Sequence, residues 1–438
     1  MVMAPERVSL DTLDITDTDL YVKHGYPWAA WDRLRREAPV YWYERPGFEP
    51  FWALTKYEDI AFVSRSPEIF SNRQRLRLTD IEGIEISERA RERSAVKHGH
   101  DAEDPPDLVY MDPPEHRTYR RMVSQRFTPR AMMLLETHFN DIGERFVGNF
   151  AGVLARAFPQ GERVDFVHEL ACKLPVAAIC EMAEIPRDDW DKIFHWTEIL
   201  VGAGDPEYQE PGMTREETAR KNAREWEQYM DRLIERRRDE GATGDDLISM
   251  LVRADAGGRP LTPKELRSYI ILLLAAGNET TRNAMTGGVK ALLENPDQLA
   301  KLQADPSLVD SAVEEILRWT SIVIQFSRTA TQDTEIRGQR IRAGETVGLW
   351  YPSANRDEDI FKDPYTFDVT RDPNPHYAFG GYGEHFCLGA NLARWELRVM
   401  FRELLPLLPK MELAGEPEFV AQSLHVGGIK HLPVRYRP

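Results

Sequence analysis

The sequence predicts a mainly α protein with a smaller β-rich lobe. Three observations carry this. Helical periodicity dominates from Glu115 to Pro409. Thr, Ile, Val and aromatic residues alternate from Arg328 to Tyr351 around Gly338 and Gly344, a strand pattern. Two short β-type runs, Val40 to Tyr43 and Phe51 to Thr55, flank an Arg45-Pro46-Gly47 turn. The β lobe is therefore expected from residues 40–55 and 328–351, and helix from most of the rest.

The stretch Asn72 to Leu108 is polar and charge-rich, and is expected to be a long mobile loop with a short helix. A helix is expected after Asp112-Pro113-Pro114. Ala203 to Thr214 is rich in turn-formers and reads as a second loop between helices. Long loops in compact domains often act as lids, although plain surface connection explains each one equally well.

At 438 residues the chain exceeds the usual single-core size, so one large domain or two unequal lobes are expected. A hydrophobic content of 42% is enough for a full core. The formal charge of −16 argues against a general nucleic-acid binder. Cys172, Cys180 and Cys387 give neither a disulfide framework nor a CxxC metal site. The N-terminus lacks the apolar core of a signal peptide. The longest apolar run, Tyr269 to Ala276, falls far short of the ~18 residues that span a bilayer. A soluble cytoplasmic monomer is expected.

Cys387 lies in Phe379-Gly380-Gly381-Tyr382-Gly383-Glu384-His385-Phe386-Cys387-Leu388-Gly389, and a helix-like run follows at once. A thiolate at a helix start meets free backbone N–H groups, which lower its pKa. Glycines let backbone approach a flat cofactor closely. The pattern suits sulfur bound axially to haem iron, a ligation that favours O–O cleavage. A lone cysteine is more often a small buried hydrophobe, so further motifs must decide.

The longest candidate helix starts at Thr262-Pro263-Lys264-Glu265, a capping box with Pro at the first helical position. It runs to Asn295, about 33 residues or roughly 50 Å, and so must cross the molecule. Its centre reads Ala276-Gly277-Asn278-Glu279-Thr280-Thr281, and a mid-helix Gly costs ~1 kcal/mol relative to Ala. A kink over the haem is expected there. Ala276 and Gly277 would leave room for O2 and substrate, the Thr280 hydroxyl would bond bound dioxygen, and Glu279 would gather protons from solvent. Taken alone, the same residues could mark a helix surface turning to solvent at Asn278.

Glu315 and Arg318 are spaced i,i+3 on one helix. With Arg371 they are expected to form a buried charge network that locks the cysteine loop. His116 and Arg120, spaced i,i+4, are candidates for binding haem propionates, as are Arg328 and His385, with His376 a weaker one.

Together these residues resemble the cytochrome P450 family in its soluble bacterial form. The matching motifs are Asp112 to His116, Ala276 to Thr280, Glu315 to Arg318, Pro364 to Arg371 and Phe379 to Gly389. The resemblance implies a triangular helical prism with a small β lobe over residues 1–438, haem b, and Cys387 as the proximal ligand. It places Phe379, Gly381, Gly389, Ala276 and Gly277 at the cofactor. The general pattern has Phe seven residues before the cysteine; here Gly380 stands there and Phe379 one place earlier. That variant, with Ala276 to Asn283 and Gly389 to Arg394, is similar to members that oxidise sterol side chains and methyl-branched lipids. Terpenoid-oxidising members share parts of it.

The expected reaction inserts one atom of O2 into a C–H bond of a hydrophobic steroid, terpenoid or branched lipid. No dinucleotide fingerprint is visible, so a separate ferredoxin and ferredoxin reductase are expected. Arg117, Arg120, Arg121, Arg126 and Arg130 offer a basic patch to an acidic ferredoxin. Ile322, Val323, Ile324, Val201 and Leu424 are placed in the substrate pocket by position. Two other readings stand beside this one. A peroxide-driven haem-thiolate enzyme has less use for the Glu279-Thr280 pair. A non-catalytic haem ligand carrier needs no proton relay. A metal hydrolase lacks support, since His98 and His100 sit alone in a charged loop.

Overall fold

Thr262 and Glu265 begin the helix against which much of the chain packs. In the computed structural model, residues 10–78, 80–81, 83–85, 107–201, 205–420 and 423–437 are described. The Thr262 hydroxyl accepts the Glu265 N–H at 3.2 Å, and the Glu265 carboxylate accepts the Thr262 N–H at 2.7 Å. The capped helix spans Pro263–Glu294, close to the bounds its capping signals predict.

The described helices are, in order, α1 (Thr18–His24), α2 (Trp28–Glu37), α3 (Tyr57–Arg65), α4 (Glu115–Ser124), α5 (Pro129–Ala157), α6 (Lys173–Met182) and α7 (Trp190–Val201). They continue with α8 (Arg215–Asp239), α9 (Leu247–Val252), α10 (Pro263–Glu294), α11 (Pro296–Ala304), α12 (Val309–Thr320), α13 (Tyr351–Ala354) and α14 (Ala390–Leu404). Helix α10 packs against α6, α7, α12 and α14. Leu266, Ile270, Leu274, Met285, Val289 and Leu292 face the main core from it. This arrangement buries α10 on nearly every side, which explains its weakly amphipathic sequence.

Strands β1 (Val40–Tyr43), β2 (Phe51–Leu54), β3 (Phe70–Ser71), β5 (Gln325–Ala330) and β8 (Thr346–Trp350) form one sheet in the order β1-β2-β8-β5-β3. β2 and β8 pair in parallel, with Trp52 opposite Val347; the other neighbours are antiparallel. Both expected β segments thus join one sheet. The stretch 328–351 differs in detail. It holds the end of β5, the separate hairpin β6 (Thr334–Ile336) and β7 (Gln339–Ile341), then β8, and Tyr351 already begins α13. The pair of β4 (Val164–Asp165) and β12 (Pro433–Tyr436) with β9 (Met411–Leu413), and the ladder of β10 (Glu418–Phe419) with β11 (Ile429–His431), carry no sequence expectation. Most of the loop expected between Asn72 and Leu108, including His98 and His100, lies outside the described residues, as does the start of the Ala203 loop. Among the described residues no helix is long and apolar enough to cross a membrane.

Candidate functional site

Three left-handed residues turn the chain before Cys387: Gly380 (φ +92°), Tyr382 (φ +63°) and Gly383 (φ +90°). The Cys387 N–H donates to the Phe379 carbonyl at 3.0 Å and closes the loop. α14 begins three residues later, with Gly389 at its N-cap. Cys387 is exposed at the surface, yet protein crowds its thiol enough for desolvation to dominate. Burial pushes its pKa up. The N–H groups of Gly389 and Ala390 and the guanidinium groups of Arg120 and Arg394 pull it down without cancelling that push. The helix start lowers the thiol pKa as expected, against the larger upward push of desolvation.

A Cβ on Gly381 would stand 2.4 Å from the Ser64 hydroxyl, and one on Gly383 would stand 2.3 Å from the Ser64 carbonyl oxygen. Their smallness seats the loop on α3. Gly389 differs, because a Cβ there would meet nothing within 4 Å. The Phe379 ring lies beneath the Arg394 guanidinium, 4.5 Å from its carbon.

A cluster of bases gathers beside this loop. The His116 and His385 rings lie 4.1 Å apart. Burial, with Arg120 close to both, lowers His116 to about 4 and His385 to about 2. His116 Nδ1 and His385 Nε2 are buried without a hydrogen-bond partner. Arg120 is half-buried near Cys387, and Arg328 is buried near His385. Burial pulls down the pKa of both arginines. The nearby Asp112 carboxylate is already used by the Ser71 hydroxyl at 2.5 Å and the Asn72 N–H at 2.9 Å. Two buried imidazole nitrogens without partners, beside two arginines, suit a doubly anionic group. His376 is excluded from this set, because its Nε2 lies 3.0 Å from Glu314.

On α10, Ala276 is exposed and Gly277 and Thr280 are half-exposed, whereas Asn278, Glu279, Thr281 and Arg282 are buried. The α-helical pattern runs unbroken through 276–281. The Thr280 hydroxyl donates to the Ala276 carbonyl at 2.9 Å. Asn278 does not turn to solvent. Its side chain donates to the Thr197 hydroxyl on α7 at 2.6 Å. Glu279 does not meet solvent directly either. It is 3% exposed and bound by Arg282, and burial raises its pKa.

Glu315 and Arg318 pair through two bonds of 2.8 and 2.7 Å, both fully buried. Arg371 adds a bond of 3.1 Å to the same carboxylate, and the Asp368 N–H and the Asn374 amide add two of 3.0 Å. Arg318 also reaches the carbonyls of Asn355, Pro364 and Thr366. The three expected residues meet, together with Asn374, which gave no signal of its own in the sequence.

The expected pocket residues divide. Ile324 and Leu424 belong to the buried cluster that also holds Trp31 and Trp350. Ile322 is buried in the helical core, and Val323 is half-buried against the β-lobe core. The Val201 side chain lies outside the described residues. Arg394, Ser64 and Thr197 were missed, because their partners come from distant elements and no local spacing marks them.

A thiol backed by N–H donors, with unused bases beside it, suits a flat, anionic, metal-bearing cofactor. The family model for Cytochrome P450 matches residues 77–407. The methyl-branched lipid omega-hydroxylase of Mycobacterium tuberculosis (strain ATCC 25618 / H37Rv) is 41% identical over 98% of this chain and 94% of its own. The steroid C26-monooxygenase of Rhodococcus jostii (strain RHA1) is 35% identical over 97% of this chain and 84% of its own. A Mycobacterium marinum cytochrome P450 solved in complex with pseudoionone superposes with a TM-score of 0.85. It is 34% identical and covers 98% of this chain and 100% of that one.

Proposed function

This chain belongs to the cytochrome P450 family, and on that premise we propose that it hydroxylates the terminal carbon of a methyl-branched apolar chain carried by a lipid or steroid. It is a monooxygenase with haem b as cofactor and a hydrophobic substrate. When bound, haem b supplies the iron that holds O2 and the oxidising power to insert one oxygen atom into a C–H bond.

The residues present fit that cofactor. Cys387 Sγ would hold the iron, steadied by the N–H groups of Gly389 and Ala390. His116, Arg120, Arg328 and His385 would hold the propionates, which would satisfy the unused His116 Nδ1 and His385 Nε2. Ala276 and Gly277 keep the facing wall low, so a substrate carbon can approach. Thr280 Oγ1 holds the proton that is donated toward O2, and Glu279 resupplies it. The Glu315–Arg318–Arg371 network fixes the segment that leads into the cysteine loop.

The observation that carries the substrate reading is the 41% identity to a hydroxylase named for the omega position of methyl-branched lipids. The relative named for C26 of a steroid also attacks the end of a branched alkyl chain. Electrons are proposed to come from a ferredoxin and its reductase. Arg121 is exposed on α4, and Arg130 is exposed on α5 one turn before the exposed Met133 and Leu134, so this stretch offers basic and apolar groups to an acidic partner. Titrating the holoenzyme with methyl-branched fatty acids and cholestane-type steroids, read by the haem band, selects binders. Mass spectrometry should then find the terminal alcohol. Hydroxylation only at internal carbons, or no binder in either class, would overturn the substrate assignment.

A further inference from the structure

Arg282 stands between two carboxylates on different helices. On its own helix it binds Glu279, three residues away. From α7, Glu198 Oε1 approaches its Nη1 to 3.6 Å, a charge contact longer than a hydrogen bond. The two acids differ in exposure. The Glu279 side chain is 4% exposed and that of Glu198 is 19%, so the cluster has a sealed end and an open end. Glu279 Oε1 and Arg282 Nε are buried without partners, so the cluster can take up a further arrangement. The neighbouring Asn278–Thr197 bond of 2.6 Å holds α7 to α10 at this level.

One guanidinium neutralises one carboxylate. Ionising both acids would leave a net negative charge in a dry site, so the pair favours holding one proton between them. Moving that proton from one acid to the other, while Arg282 shifts to the acid left charged, leaves the buried net charge unchanged. We propose that Glu198 is the proton-loading residue of this enzyme: it takes protons from solvent and passes them to Glu279 as Arg282 shifts between the two carboxylates. This rests on the reading of Glu279 and Thr280 as the proton-delivery pair. In each passage the Glu198 O–H bond breaks and a Glu279 O–H bond forms. Solvent then reprotonates the Glu198 carboxylate. Two passages per turnover match the two protons consumed, and the two electrons come from the redox partner. Glu198 is a positioning and relay residue, since it does not itself touch the reacting atoms.

The surroundings agree. Burial raises Glu198 to about 7, with Glu279 and Glu207 adding to the rise and Arg282 and His431 opposing it. Tyr208 also faces Arg282, and Cys172 lies close enough to feel all three charges. His431 Nε2 lies 2.7 Å from Glu207 and its Nδ1 2.6 Å from Asp165. A cationic His431 would steady the carboxylate nearest the solvent side.

The test is Glu198→Gln, with Glu198→Asp and Glu279→Gln alongside, all as holoenzyme. In the resting enzyme, infrared difference spectra should show a protonated carboxyl that titrates near neutral pH and is absent in Glu198→Gln. In turnover, Glu198→Gln should lower the substrate-dependent rate by about a hundredfold, the low end for loss of a positioned acid. It should also abolish the break in the pH profile and raise the solvent isotope effect, while substrate-induced spectral change stays as in the parent. Glu198→Asp should restore part of the rate. A Glu198→Gln pH profile that superimposes on the parent, while Glu279→Gln is impaired, would overturn the relay alone. Unimpaired turnover in Glu279→Gln would overturn the delivery pair on which it rests.

Discussion

Glu279 and Thr280 are adjacent in sequence but present their side chains to different surroundings. Arg282 binds the Glu279 carboxylate inside the helical core, while the Thr280 hydroxyl sits on the open side of the helix, 2.9 Å from the Ala276 carbonyl. Successive helical residues are about 100° apart, so one peptide step carries the chain from a dry charge pair to the open side of the helix. An acid and an alcohol can thus act in series from one continuous helix.

Replacing Thr280 with Ala should uncouple the reaction. Among the described residues the hydroxyl bonds to its own helix carbonyl, so folding should hardly change. Product per electron should fall about tenfold, less than the ~100-fold typical of a lost general acid, because water can substitute in part. Peroxide should appear in place of product. Assays of reductant, product and peroxide together decide this, and unchanged coupling would remove Thr280 from the mechanism.

Replacing Glu315 with Gln should destabilise the protein strongly. Two arginines, Arg318 and Arg371, share this buried carboxylate. Stranding buried charge costs about 3–5 kcal/mol. Thermal unfolding of the holoenzyme should show the loss, with haem released at lower temperature than in the parent. A change of under about 1 kcal/mol, as for a surface pair, would contradict the locking role.

Stability should carry an acid signature from Glu265. Arg259 holds this carboxylate with bonds of 2.8 and 2.7 Å, and its pKa falls to about 2. A lowered folded pKa stabilises above the unfolded value of about 4.3 and is lost as pH falls toward 2. Glu265→Gln should cost about 2 kcal/mol at neutral pH, discounted because Arg259 is half-exposed. Unfolding free energies of variant and parent should converge as the pH drops through that window. Parallel curves would contradict the assignment.

Electron transfer should slow with added salt. Docking through exposed Arg121 and Arg130 is screened beyond about 10 Å at 0.1 M ionic strength. Arg121→Glu should slow reduction by the ferredoxin while leaving reduction by dithionite unchanged. Stopped-flow reduction that is insensitive to both changes would place the docking face elsewhere.

Much of this was readable in the sequence where the physics is local. The Thr262–Glu265 cap and the Glu315–Arg318 pair are three-residue relationships, and both form as their spacing implies. The Glu279–Arg282 pair has the same spacing but was not read as a pair. Its sealing depends on α7, which the spacing does not show. The close seating of Gly381 and Gly383 on Ser64 was not legible, because Ser64 lies far away in the chain. Ile324 and Leu424 were placed by position, and their sharing of a buried cluster with Trp31 and Trp350 had no local signal. Strands such as β4 and β10 are two residues long, and they exist only through pairing with distant chain.

The most direct measurement is the ferrous–CO spectrum of the Cys387→Ser variant beside the parent. The account predicts a red-shifted absorption band in the parent and its loss in the variant, because serine cannot supply the sulfur that shifts it. A folded, haem-loaded Cys387→Ser protein that kept the red-shifted band would contradict the account at its root.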